Sequence, residues 1–116
     1  MILLYVMLAG GIGSGARYLV ATAFPHGTII VNLLGCFLLG AVIQAGTAGN
    51  WSPEVRAAIA IGFLGGFTTY SSFNQETLTM LTSGAAGSAL ANIAVTLVGG
   101  LAAGAFGLFA ARFFTR

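Results

Sequence analysis

Residues 65–76 read Gly-Gly-Phe-Thr-Thr-Tyr-Ser-Ser-Phe-Asn-Gln-Glu and interrupt a hydrophobic stretch that covers residues 55–83. Each glycine costs about 1 kcal/mol relative to alanine inside a helix, so the pair Gly65-Gly66 disfavours regular helix. In lipid, irregular backbone persists only where protein buries it or where it lines a water-filled cavity. The segment therefore predicts a helix broken in mid-membrane, whose freed carbonyls can coordinate a cation. A glycine kink that serves only packing is the alternative.

The composition of the whole chain indicates that lipid is its main solvent. Of 116 residues, 58% are hydrophobic and 5% are charged, whereas a soluble domain is about 25% charged. The formal net charge is +2 and the basic residues form no cluster, which excludes the usual electrostatic footprint of a nucleic-acid-binding protein. We therefore expect an all-α integral membrane protein that has no nucleic-acid partner.

Four hydrophobic stretches are long enough to cross a bilayer, whose core of about 30 Å needs roughly 20 helical residues. They cover about residues 2–24, 28–45, 55–83 and 85–111. The connections are short after the first and third stretches and longer, at roughly ten residues, after the second. Residues 1–116 are therefore predicted to form a single transmembrane domain of four helices, with the third helix broken.

A second copy of the chain is the simplest way to enclose the polar groups of so thin a bundle, because polar side chains in lipid need protein partners. The charges that set orientation are few, with Arg17 opposed to Arg56, Arg112 and Arg116. Insertion in either direction is physically credible under so slight a bias. Antiparallel pairing of two copies is therefore possible.

Two pairs of glycines have the spacing that allows close contact between membrane helices. Gly11 and Gly15 form one pair, and Gly100 and Gly104 form the other. Small residues four apart let helix backbones approach closely in lipid. Both pairs are predicted to lie in helix–helix contacts.

Polar and aromatic residues follow the predicted break at helical spacing. Tyr70, Phe73 and either Glu76 or Thr77 recur at spacings of three and four residues and share one helix face, with Ser71 and Ser72 beside them. A carboxylate within a membrane segment is by default functional. The combination predicts a permeation pathway, although aromatic residues at this spacing also fill cores or face lipid.

Four further residues extend the polar set. Asn32 lies among aliphatic residues early in the second stretch, and Thr96 follows Asn92 by four residues in the fourth. Each can line a pore or can join helices through a hydrogen bond. Arg17 can extend to the interface or can draw anions into a vestibule. Because Glu76 alone favours a cation or proton, these residues leave the sign of the ion open.

An enzyme is not expected. His26 is the single histidine and Cys36 the single cysteine, and no second carboxylate lies near Glu76. Nucleophile–base pairs and metal clusters need several such groups together.

Three motifs then resemble the signatures of the CrcB/Fluc fluoride channels, in order and at natural spacing over nearly the whole chain. They are residues 10–18 (Gly-Gly-Ile-Gly-Ser-Gly-Ala-Arg-Tyr), 27–35 (Gly-Thr-Ile-Ile-Val-Asn-Leu-Leu-Gly) and 62–73 (Gly-Phe-Leu-Gly-Gly-Phe-Thr-Thr-Tyr-Ser-Ser-Phe). The resemblance implies an antiparallel (dual-topology) homodimer in the cell membrane, the bacterial inner or plasma membrane. It implies passive export of cytoplasmic fluoride. It also implies a structural sodium ion at the dimer centre, held by the backbone carbonyls of Gly65 and Thr68.

The resemblance assigns the fluoride pathway to Tyr70 and Phe73, whose ring edges carry the positive end of the aromatic quadrupole. Donors along the path would come from Asn32, Ser71, Ser72 and Thr96, with Glu76 at its lower end and Arg17 in the vestibule. The family usually has phenylalanine where this chain has Tyr70.

Two other functions compete with this interpretation. A proton-coupled exporter of the small multidrug-resistance type relies on a carboxylate in its first helix, whereas the one charge in residues 2–24 is Arg17. A non-conducting membrane assembly subunit would explain the glycine pairs, but not the aromatic residues and carboxylate that follow a broken helix.

Overall fold

The computed structural model describes residues 1–115, which contain helices and no strand. Arg116, which entered the orientation argument, lies outside the described residues. In chain order the elements are α1 (Ile2–Ala23), α2 (Gly27–Ala48), α3 (Pro53–Arg56), a π-helical segment (Ala57–Phe63), α4 (Leu64–Phe67), α5 (Tyr70–Thr82) and α6 (Ala86–Phe114).

Three helices, α1, α2 and α6, are long and apolar enough to cross a membrane. They have 22, 22 and 29 residues, and a helix of 22 residues is about 33 Å long, which matches the hydrocarbon core. Many of their large apolar side chains point away from the chain, such as Leu101 and Phe106. The prediction of an all-helical membrane protein is confirmed.

The third hydrophobic stretch is divided, as expected, but the interruption lies beyond the glycine pair. Gly65 and Gly66 remain helical within α4. The extended backbone is at Thr68 (φ −86°, ψ 155°) and Thr69 (φ −148°, ψ 114°), after which α5 begins. The helix therefore stops at two threonines, of which Thr69 has backbone partners outside it, rather than at the residues with the lowest helix propensity.

The glycine pair Gly100 and Gly104 packs in the interior, against α2. A Cβ atom on Gly100 would lie 3.4 Å from Cys36 Sγ, and one on Gly104 would lie 3.5 Å from the Cys36 carbonyl oxygen. The α2–α6 contact is the most extensive in the fold. The prediction for this pair is confirmed.

The pair Gly11 and Gly15 has no neighbour in this chain, because a Cβ atom on either would lie in open space. The close contact of α1 is made instead by Gly13, where a Cβ atom would overlap the Phe63 carbonyl. Gly11 and Gly15 therefore make no close helix contact within the described chain, and a contact of this pair with a second copy stays a prediction. The reason is that helix rotation, which the tertiary contacts set, decides which small residue faces the neighbour.

The connection after α2 is shorter than predicted. The helix continues to Ala48, three residues beyond the expected end, and leaves residues 49–52 as the connection. The Gly46 carbonyl accepts hydrogen bonds from Arg56 Nη2 at 2.9 Å and from the Trp51 N–H at 3.0 Å. These donors satisfy a carbonyl at the helix end and hold the chain in its reversal.

Candidate functional site

Asn32, on α2, makes two hydrogen bonds to the backbone of the break. Its Oδ1 accepts from the Thr69 N–H at 2.7 Å, and its Nδ2 donates to the Thr69 carbonyl at 3.0 Å. Both residues are buried. In a continuing helix the Thr69 N–H would donate to the Gly65 carbonyl. The Asn32 carboxamide oxygen takes the place of that carbonyl, so the buried Thr69 N–H keeps a partner where the chain leaves helical geometry.

Thr69 also begins the next helix. Its Oγ1 accepts from the Ser72 N–H at 3.2 Å, which caps α5, and lies 3.2 Å from both Ser71 Oγ and Ser72 Oγ. In an unbroken helix the Ser72 N–H would donate to the Thr68 carbonyl. The carbonyls of Gly65 and Thr68 are therefore the two whose usual helical donors have been diverted to side chains.

Arg17 lies at the same break, approached from α1. Its Nε donates to the Gly66 carbonyl at 3.0 Å. Carbonyl groups at the C-terminal end of a helix carry partial negative charge, which a guanidinium complements. Of the two sequence interpretations, extension to the interface and an anion vestibule, neither included this contact with the broken helix.

The two aromatic residues after the break are in contact. The ring centroids of Tyr70 and Phe73 lie 5.4 Å apart with an interplanar angle of 70°, an edge-on arrangement. Phe73 is 5% exposed, whereas Tyr70 is 73% exposed. The ring of Phe73 thus faces the interior of the chain and that of Tyr70 faces outward.

A cavity of 190 Å³ brings four of the residues predicted for the fluoride pathway together, and Thr68, a predicted sodium ligand, also lines it. Its lining includes Asn32, Tyr70, Phe73 and Thr96 from α2, α5 and α6. Thr96 Oγ1 is buried and has no hydrogen-bond partner among residues 1–115. A buried hydroxyl without a partner costs free energy unless a guest or water accepts from it. The cavity therefore offers a free donor beside an aromatic ring.

Glu76 and Ser72 line a second, larger groove of 540 Å³ between the α1–α2 turn and α5. Glu76 Oε1 accepts a hydrogen bond from Thr28 Oγ1 at 2.6 Å. His26 lines the same groove, from a turn in which its φ is 56°. Left-handed backbone of this kind is commoner for His than for most residues other than glycine.

Several residues of the site were missed by the sequence argument, namely Thr28, His26, Gln75, Thr79 and Thr69. Thr28 was within reach of that argument, because it precedes Asn32 by four residues and so shares its helix face. The others depend on which helix lies opposite, and local spacing does not contain that information.

The hydroxyl groups connect the cavity with the groove. Thr69 lines the cavity and Ser72 lines the groove, and their side-chain oxygens lie 3.2 Å apart. A row of polar groups thus runs from Asn32 to Glu76. Within residues 1–115 no group of three or more His, Cys, Asp or Glu could hold a metal ion. The site offers neutral donors and ring edges rather than catalytic groups.

The fold and the site define a helical membrane protein with a polar cavity next to a broken helix. The pattern of the family described as CrcB-like protein, Camphor Resistance (CrcB), matches residues 4–108. This chain therefore belongs to the CrcB family.

Relatives that carry the name Fluoride-specific ion channel FluC are similar over most of this chain. The one from Sorangium cellulosum (strain So ce56) is 44% identical over an alignment that covers 93% of this chain and 92% of the relative. The one from Anaeromyxobacter dehalogenans (strain 2CP-1 / ATCC BAA-258) is 44% identical and covers 87% of each chain. The one from Shewanella woodyi (strain ATCC 51908 / MS32) is 42% identical, over 82% of this chain and 83% of the relative.

Proposed function

We propose that this protein is a fluoride-selective ion channel and that it exports cytoplasmic fluoride passively across the cell membrane. The names of its relatives support the ion. The observation that supports the pathway is the 190 Å³ cavity, where the Asn32 carboxamide, the Phe73 ring and the unpartnered Thr96 hydroxyl lie together. It is an ion channel and not an enzyme.

An anion that leaves water must find other donors. The cavity supplies a second N–H of the Asn32 amide, since one is used on Thr69. It also supplies the Thr96 hydroxyl and the positive edge of an aromatic ring. Neutral donors suit conduction, because binding must be strong enough for entry and weak enough for exit. Glu76, whose carboxylate is bound to Thr28, marks the far end of the row, and Ser71 and Ser72 lie between.

The membrane potential supplies the driving force for export. Moving one elementary charge through 100 mV is worth about 2.3 kcal/mol, which corresponds to a roughly 50-fold concentration ratio. A potential that is negative inside therefore expels an anion without ATP or a coupling ion.

A second copy of the chain, inserted antiparallel, completes the proposed channel. Tyr70 is exposed although it lines the cavity, Gly65 is exposed beside the break, and Gly11 and Gly15 leave room on α1. Exposed polar backbone in lipid requires a protein partner. In this arrangement each chain has four membrane-spanning segments, of which the broken stretch Pro53–Thr82 is the third.

A sodium ion at the dimer centre fits the backbone of the break. The carbonyls of Gly65 and Thr68 have lost their helical donors to Asn32 and Thr69, and carbonyl oxygens suit a hard cation. Two such oxygens from each copy would hold the ion. Its positive charge would offset the partial negative charges of the converging carbonyl oxygens. Its role would be structural.

The function is tested with purified protein in liposomes loaded with potassium fluoride or potassium chloride, with valinomycin added to carry the counter-ion. We expect rapid fluoride release and retained chloride, relative to protein-free liposomes. Equal release of both anions, or fluoride release at the protein-free rate, would overturn the proposal.

The sodium site is tested by exchange of sodium for N-methylglucamine in all buffers. The exchange should slow fluoride release and lower the melting temperature of the protein, and no change in either quantity would overturn the proposed sodium site.

A further inference from the structure

A chain of two hydrogen bonds joins α6 to the backbone of Phe73. Asn92 Nδ2 donates to Thr77 Oγ1 at 3.0 Å, and Thr77 Oγ1 donates to the Phe73 carbonyl at 2.8 Å. All three residues are buried, with exposed fractions of 4% for Asn92, 7% for Thr77 and 5% for Phe73. We refer to these two bonds as the Asn92–Thr77–Phe73 relay.

The relay uses both capacities of a single hydroxyl group. A threonine hydroxyl has one donor hydrogen and two acceptor lone pairs, so Thr77 can serve Asn92 and Phe73 at once. A threonine that donates to the carbonyl four residues earlier often bends its helix. The relay therefore acts on the turn of α5 that presents the Phe73 ring.

Within residues 1–115, the bond to Thr77 is the only hydrogen bond that the Asn92 side chain makes. Phe73 lines the cavity of 190 Å³ together with Thr96, whereas Asn92 and Thr77 are not among its lining residues. From the sequence, Asn92 had two interpretations, a pore stripe shared with Thr96 or a bond between helices. The geometry supports the second interpretation. Asn92 donates to Thr77, whose hydroxyl in turn donates to the carbonyl of Phe73, and Phe73 lines the cavity.

We propose that Asn92 and Thr77 are positioning residues of the channel, which set the orientation of the Phe73 ring edge toward the passing anion. The proposal rests on the proposed function and identifies residues that control it without contact with the ion. Their loss should slow fluoride because the ring edge leaves its favourable position, while the cavity and its donors remain.

The test uses variants that change one hydrogen bond each. Thr77→Val keeps the shape of the side chain and removes the hydroxyl, and Asn92→Leu removes the donor. Each should slow fluoride release by about tenfold, since misplacement of a positioned group by an ångström costs up to roughly 100-fold. Thr77→Ser, which retains the hydroxyl, should release fluoride within about twofold of the unchanged chain.

The double variant Asn92→Leu with Thr77→Val distinguishes one hydrogen-bonded relay from two independent destabilising effects. Partners in one network are not additive, so the double variant should be about as slow as either single variant. Thr22→Val is the matched control, because Thr22 makes the same bond to the carbonyl four residues earlier (2.7 Å) on an exposed face of α1. It should leave release unchanged.

The outcomes are distinguishable from failure of the proposed function, which the unchanged chain would reveal by not releasing fluoride. Normal release by Thr77→Val, slow release by Thr77→Ser, or multiplied losses in the double variant would each overturn the relay. If Asn92→Leu does not yield folded protein, Thr77→Val and Thr77→Ser still decide the matter, because valine keeps the branched shape of threonine without the hydroxyl and serine keeps the hydroxyl.

Discussion

Thr69 lies between two helices, where its N–H has no helical acceptor; the Asn32 carboxamide accepts from this N–H and also donates to the Thr69 carbonyl. A buried polar group without a partner costs about 1–3 kcal/mol. One side chain on α2 therefore stabilises the interruption of the third stretch. The same amide has a second N–H for the cavity, so Asn32 combines a structural role with its proposed role toward fluoride.

Asn32→Ala should lower the free energy of unfolding by about 1–3 kcal/mol, because the buried Thr69 N–H loses its partner and the Thr69 carbonyl loses one of its donors. The expected result is a lower melting temperature in detergent together with slower fluoride release. Asn74→Ala is the control, since Asn74 is exposed on α5. If Asn32→Ala has the same melting temperature as the unsubstituted chain, Asn32 does not stabilise the break.

The third hydrophobic stretch shows how neighbouring elements shape one another. Its first half contains a π-helical segment, Ala57–Phe63, and such segments are frequent at functional sites. This half packs closely on α1, at Gly13, and its C-terminal end receives the Arg17 guanidinium. The second half, α5, is held by α2 through Asn32 and by α6 through Asn92. The break is thus supported from three helices.

Gly13→Ala should destabilise the protein by about 1–3 kcal/mol, because the added Cβ atom overlaps the Phe63 carbonyl and forces α1 away. Gly87→Ala is the matched substitution in α6, where nothing lies within 4 Å of the new atom. It should be neutral or stabilise by up to about 1 kcal/mol. Thermal unfolding of both variants in detergent measures the difference, and equal melting temperatures would contradict the close packing of α1.

At the scale of the whole molecule, the outward features of one chain point to assembly. The exposed Tyr70 ring and Gly65 lie beside the break, and α1 presents small residues outward. Small residues on a lipid-facing surface allow close helix contact. A second copy placed there would bury the break and would complete the cavity that Tyr70 shares with Phe73.

Light scattering in detergent should give a mass that is twice the 11.7 kDa of one chain. The mass of a single chain would contradict the dimer.

A cysteine added at the C-terminus of a Cys36→Ser chain should react with an impermeant maleimide in about half of the molecules in intact cells, because the slight charge bias permits both orientations. Labelling of all molecules or of none would contradict dual topology.

Local pattern was sufficient for a large part of this description. Hydrophobic runs of membrane length predicted an all-helical membrane protein, and residues 65–76 predicted an interruption of the third stretch. The three-residue spacing of Tyr70 and Phe73 predicted that they share a helix face, and their ring centroids lie 5.4 Å apart. These features follow from composition and helical repeat, which depend on neighbours along the chain.

The partners of the polar residues were decided by tertiary structure. Asn32 meets a residue 37 positions away and Arg17 one 49 positions away, and Gly13 rather than Gly11 lies in the contact of α1. No repeat in the sequence specifies which helix lies opposite or how it is rotated. A polar group in lipid forms its hydrogen bonds with the groups that helix packing places near it, so its role follows from the tertiary structure.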